Sequence, residues 1–426
     1  MEYERGALYR MESTQNPLFK RLWWIWIIII AIVAFVILTI IGNLNSHQFQ
    51  DDNIKKQESI NYDTVSPYPA CPENLAGLFS YPLMLPEDYL FINPLGNLNP
   101  PNHVFPTDHM YFYFRQNNVG RPYERSVYAP GDMVLTSVEE IKQTQKNASS
   151  FRMNFIICDE IIVWISNMDN VSDQIRNDLK SVNAQCQNDP PTPAGTDVRC
   201  IYATDIQVKA GNLLGYIGGS FDNDEQAVDF GVYNNSESYS RNSLYDMHVL
   251  CPIDLYAEGD IKKVIYSRLG IYKYDKFILR TTEPRCGSAA QDIPGTIQGA
   301  WYEQVADVSA YKKDPRGKVE MLSLARENVD PAVSTISFGM DFPISGKISF
   351  MPESDGVMNR DFSEVTADGK IYCYQNQYIG NKSGFWHYIP GKAIVQLLDE
   401  HHLKIEQQDD ACGGSESFKN PFSYER

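Results

Sequence analysis

Six runs decide the fold class: MYFYFR at 110–115, SVYAPGDMVLTSV at 126–138, FRMNFIICDEIIVWIS at 151–166, DVRCIYATDIQV at 197–208, NLLGYIGG at 212–219 and AVDFGVYN at 227–234. Each is short, rich in β-branched and aromatic residues, and bounded by Gly, Pro, Asn or Asp, the pattern of strands joined by turns. One short helix, DQIRNDLKSV at 173–182, interrupts them behind the cap-like Asn170-Val171-Ser172. A second helix is expected at 257–269, after which YKYDKFILRTTEP returns to strand character. A boundary then falls at 284–295. Beyond it GAWYEQ, KVEMLSLARE, STISFGM, GKISFMP, GKIYCYQ, FWHYIP and the pair AIVQLLD/HLKIEQ form another antiparallel β domain, a barrel or a sandwich.

Composition agrees. The 426 residues carry 26 Tyr, 24 Pro and 27 Gly, a mix that favours many short strands over long helices. With 37 basic against 54 acidic residues the net charge is -17, which argues against a general nucleic-acid binder.

At the N-terminus, LWWIWIIIIAIVAFVILTIIG (22–42) holds 21 residues without a charge. At about 1.5 Å per residue this spans roughly 31 Å, enough for a bilayer core. The run is too long and too bulky at its end for a cleaved signal peptide, so an uncleaved single-pass anchor is expected. Lys20, Arg21, Arg5 and Arg10 precede it and no Lys or Arg follows until Lys55, which places the N-terminus in the cytoplasm and the bulk outside. The chain therefore divides into a cytoplasmic tail (1–21), a transmembrane helix (22–42), a polar stalk (43–70), a β core with a helical appendix (71–290) and a C-terminal β domain (291–426).

All eight cysteines, Cys71, Cys158, Cys186, Cys200, Cys251, Cys286, Cys373 and Cys412, lie on the outer side, where disulfides persist. Four bridges are expected, two of them Cys186–Cys200 and Cys373–Cys412, each closing a local segment. No C-x-x-C spacing supports a thiolate zinc site or a redox pair. Sequons at Asn147, Asn170, Asn234 and Asn381 make the outer part a candidate glycoprotein.

VYAPGDMVLTSV (127–138), followed by VKAGNLLGYIGG (208–219) and AVDFGVY (227–233), resembles the β-sheet core of lysostaphin/LytM-type zinc endopeptidases. The matching turns are Val127 to Val134, and Val208, Gly211, Leu214, Gly215 and Gly218; the likeness covers about residues 95–235. Such a core implies a zinc held by H-x-x-x-D and H-x-H motifs, with an open position for water. His109 matches the first histidine, but Tyr113 stands where the aspartate belongs. Asn167-Met168 replaces a mid-domain His-Leu, and only Asp229 occupies the H-x-H position. The candidate metal residues are His103, Asp108, His109 and Asp229, a set lacking both histidines that the resemblance makes catalytic. Gly299-Ala300-Trp301 is similar to the strand that opens lipocalin-like barrels, which implies a buried indole whose N–H needs a partner. Ligand capture there would require an apolar cavity.

No P-loop, G-x-S-x-G, H-E-x-x-H or dinucleotide fingerprint is present. The expectation is an envelope or cell-surface protein whose peptidase-like domain is a pseudoenzyme serving binding or assembly, with no cofactor. Its partners would be the membrane through 22–42 and a protein, peptide or envelope polymer, within a larger assembly. The alternative is a zinc metallo-endopeptidase with altered ligands, acting on wall or surface peptides.

Overall fold

The structure, a computed structural model, describes residues 68–101, 103–114, 124–143, 148–189, 196–218, 227–234, 249–273, 276–303, 321–339, 342–377 and 388–426. The expected tail, transmembrane helix, most of the stalk, and the sequons at Asn147 and Asn381 lie outside the described residues. Among the described residues no helix is long and apolar enough to cross a membrane. The fold is mainly β, 48% strand and 8% helix.

In chain order the first part comprises β1 (Tyr89–Asn93), β2 (Met110–Phe114), β3 (Arg125–Tyr128), β4 (Met133–Gln143), β5 (Ala148–Cys158), β6 (Ile161–Met168), β7 (Asn170–Val171), α1 (Asp173–Leu179), β8 (Gln185–Asn188), β9 (Val198–Val208), β10 (Leu213–Ile217), β11 (Ala227–Asn234), β12 (Val249–Leu250), α2 (Asp260–Ser267) and the hairpin β13 (Gly270–Lys273) and β14 (Lys276–Leu279). A large antiparallel sheet runs β1-β2-β11-β6-β5-β4-β9-β8, with β12 beside β11, and a small sheet runs β3-β10-β7. Val127, Leu214, Ile217 and Val171 of the small sheet share one apolar cluster with Leu135, Val138, Met153 and Phe155 of the large one. Burying each such side chain stabilises the fold by about 1.5–3 kcal/mol.

The two glycine-bearing turns meet. β3 pairs β10, and the Asp132 carboxylate accepts from Ala210 N at 3.0 Å and from Lys209 Nζ at 2.9 Å. Helix α1 begins where its cap is written: Ser172 Oγ accepts from Ile175 N, and Ile175 and Leu179 are buried.

The second part comprises β15 (Gly299–Glu303), β16 (Met321–Arg326), β17 (Ser334–Phe338), β18 (Gly346–Phe350), β19 (Tyr372–Gln375), β20 (Lys392–Leu397), β21 (His402–Gln408) and β22 (Phe422–Glu425). These form a nearly closed eight-stranded antiparallel barrel in the order β18-β17-β16-β15-β22-β21-β20-β19. Polar side chains span the gap between β18 and β19: Asn376 Oδ1 accepts from Ser349 N at 2.7 Å, and Gln377 Oε1 accepts from Met351 N at 2.9 Å. Trp301 is fully buried and donates through Nε1 to Ile297 O at 2.9 Å. Trp301, Phe338, Phe350, Phe362, Tyr374 and Tyr424 are each less than 2% exposed. Among the described residues these side chains belong to one buried hydrophobic cluster inside the barrel.

The cysteines pair as Cys71–Cys158, Cys186–Cys200, Cys251–Cys286 and Cys373–Cys412. Both locally closing bridges expected from the sequence are among them. Cys186–Cys200 joins a register pair of β8 and β9 and clips the sheet's edge strand to its neighbour.

The barrel meets the first part along the segment 93–105. Asn328 Nδ2 donates to Asn93 Oδ1 at 2.7 Å and to Pro94 O at 2.8 Å, Lys347 Nζ donates to Leu98 O, and the Phe105 and Tyr302 rings meet edge-on at 5.1 Å.

Candidate functional site

The candidate site is built on the large-sheet face that bears Tyr111 and Asp229. Side chains two residues apart share a face of a strand, so β11 sets Asp229, Gly231 and Tyr233 together, and β2 sets Tyr111 and Tyr113 together. In register Asp229 lies between Tyr111 of β2 and Ser166 of β6, and Gly231 lies opposite Trp164. A Cβ at Gly231 would come within 2.3 Å of the Trp164 indole. The bare glycine is what lets that ring lie across the strand.

The last residues before β2 bring in the imidazole. His109 is 5% exposed and its ring meets Tyr111 at 4.7 Å, Trp164 at 4.9 Å and His103 at 5.5 Å between centroids. Its Nδ1 lies 2.6 Å from Asp108 Oδ1, and its Nε2 faces Asp229 Oδ2 at 3.7 Å. Asp108 is held from the other side by Tyr233, whose hydroxyl donates to Oδ2 at 2.6 Å. Hydroxyl, carboxylate, imidazole and second carboxylate thus form one chain of interactions.

Electrostatics follow from that chain. Burial alone would strip His109 of its proton, but the hydrogen bond and charge of Asp108, with the charge of Asp229, outweigh it and hold His109 above the ordinary histidine range. Burial pushes Asp108 up; its hydrogen bond to His109, the His109 charge and the Tyr233 hydroxyl outweigh that and hold it below the ordinary carboxylate range. Asp108 and Asp229 therefore favour the imidazolium–carboxylate form of the pair. His103 behaves oppositely: burial first, then the His109 charge, push it down to about 4.

No family model, curated protein or solved structure matches this chain.

The structure brings three of the four candidate metal residues, Asp108, His109 and Asp229, into one cluster, with His103 against the edge of the His109 ring. A catalytic zinc takes three protein donors converging on one point. Here only His109 Nε2 and Asp229 are turned toward each other, while Asp108 occupies the far ring nitrogen. Among the described residues, three potential donor atoms come within 4.8 Å of one another in Cys71/Cys158/Asp159 and in Cys373/Cys412/Glu416, and in both groups the two sulfurs are joined as a disulfide. The donor set falls short of a catalytic zinc.

Sequence reading missed Tyr111, Trp164, Gly231 and Tyr233. The signal for Tyr111, Gly231 and Tyr233 was present as the two-residue period of β2 and β11; nothing local marked Trp164, which arrives from β6. Of the sequons, Asn170 is half-buried and Asn234 is 7% exposed.

Proposed function

We propose that this chain is a single-pass membrane protein, cytoplasmic at its N-terminus, whose disulfide-stapled β portion stands outside the cell and serves binding or assembly. The charge-free run at 22–42 and its basic N-terminal flank support the anchor, and four bridges support an oxidising compartment. In this reading the first β part is a core of the lysostaphin/LytM kind whose groove has closed over a polar node. One observation carries the non-catalytic assignment: both ring nitrogens of His109 face carboxylates of the fold itself. His109 is 5% exposed and both of its ring nitrogens are turned to carboxylates of the fold, so neither is directed outward to a substrate. The test is photo-crosslinking from Tyr113 in intact cells, with peptide hydrolysis assayed on the same purified full-length protein. A discrete adduct without hydrolysis is expected; turnover abolished by His109→Ala would overturn the proposal.

A further inference from the structure

We propose that Arg152, seated on Trp164, binds the carboxylate of a peptide. This inference rests on the binding reading above and gives it a ligand class.

Arg152 lies on β5, and its guanidinium carbon sits 4.2 Å from the centroid of the Trp164 ring on the neighbouring strand β6. Its Nε donates to Asn154 Oδ1 at 3.3 Å, and Asn154 Nδ2 donates to Ser137 Oγ at 2.9 Å. Stacking on one side and this relay on the other fix the plane of the guanidinium. What remains is the Nη1/Nη2 edge, two parallel N–H donors matched to the two oxygens of a carboxylate.

Among the described residues, no acid is paired with that edge. Glu139 is opposite Arg152 in register but is turned to Arg199, which also holds Asp189 at 2.9 Å. Among the described residues no carboxylate lies within ion-pair distance of Arg152. In a chain with 54 acidic and 37 basic residues, an oriented, half-buried arginine left with an amide and an indole is an exception that an external acid resolves.

The surroundings narrow the ligand. A single guanidinium, with Glu139 opposite it in register, suits one negative charge and disfavours a phosphate dianion. Trp164 is 4% exposed and already covered by Arg152, so it offers no open ring on which a sugar could stack. The half-buried amide and hydroxyls of Asn154, Ser137 and Ser166 suit the polar backbone of a peptide.

The experiment uses the full-length protein in detergent and immobilised random hexapeptides in three forms: free C-terminus without Asp or Glu, amidated C-terminus with Asp or Glu, and amidated without either. Retention of the first or second set, but not the third, is expected, and the set retained tells a terminal from a side-chain carboxylate. Arg152→Gln should weaken retention by about tenfold or more. Arg152→Lys, which keeps the charge and the stem but not the two-pronged edge, should fall between. Both variants should still fold, with a modest fall in unfolding temperature from the lost Trp164 stacking and Asn154 bond, and Arg152→Lys serves as the control that separates lost binding from lost stability. Equal retention of the carboxylate-free set, undiminished retention by Arg152→Gln, retention of a uronic-acid oligosaccharide in place of peptides, or no retention at all would overturn the inference. Retention of all sets alike would do so while leaving the binding function standing.

Discussion

Replacing Lys347 by methionine should stabilise the protein, although it removes a hydrogen bond. Lys347 is 4% exposed, its amine donates to Leu98 O across the contact between barrel and sheet, and Asn376 accepts no part of its charge because it bonds the Lys347 carbonyl instead. Burial pushes the amine down to about 7; the Glu327 charge opposes this and the Lys273 charge adds to it. A lysine in water titrates near 10.4, and each pH unit is worth about 1.4 kcal/mol. Between pH 7 and 10 the unfolded chain carries a proton that the folded chain has released, so stability rises with pH there, and below about pH 7 the penalty is complete. At pH 7.5 it amounts to about 4 kcal/mol, and at pH 9.5 to about 1 kcal/mol. Loss of the bond to Leu98 O returns about 1 kcal/mol. Lys347→Met should therefore be more stable than wild type by about 3 kcal/mol at pH 7.5 and nearly equal to it at pH 9.5. Urea unfolding of both proteins across that range measures the difference. A variant less stable than wild type at pH 7.5, or a difference that does not shrink with pH, would refute the reasoning.

Asp108→Asn removes the charge that holds the His109 imidazolium and should cost about 3–5 kcal/mol, read by the same unfolding curves. Because Asp108 titrates low in the folded protein, its contribution is present above the ordinary carboxylate range and is lost as pH falls through its folded value, so wild type and variant should converge in acid. Gly231→Ala puts a Cβ within 2.3 Å of the Trp164 indole, which should displace the ring, lower stability by about 1–3 kcal/mol and shift tryptophan emission. Removing the Cys186–Cys200 bridge as a double serine variant opens a loop of 14-residue separation and should cost about 3 kcal/mol.

Much of this architecture can be read from local pattern. The two-residue period of AVDFGVYN puts Asp229, Gly231 and Tyr233 on one face and Val228, Phe230 and Val232 in the core. The tip between AIVQLLD and HLKIEQ forms, with Leu397 opposite Leu403 in the β20–β21 hairpin. Long-range arrangement was less accessible. That β15 pairs with β22, the last strand of the chain, to bring the barrel near closure depends on contacts more than a hundred residues apart. Barrel or sandwich could not be decided from strand lengths alone. At the site, His109 and Asp229 were singled out as metal donors because of their residue types. Their meaning changes once Asp108 and Tyr233 are seen on the far side of the imidazole, since Tyr233 reaches it only through the pairing of β2 with β11. Arg152 gave no signal in sequence; it stands out because Glu139, its register partner, is turned to another arginine.

The central claim is that the Asp108–His109–Asp229 cluster is a closed polar node rather than a metal or catalytic centre. Elemental analysis of the purified full-length protein after equilibration with zinc, beside His109→Ala, tests it most directly. The account expects no stoichiometric zinc in either protein; one zinc per chain in the wild type, lost in the variant, would contradict it.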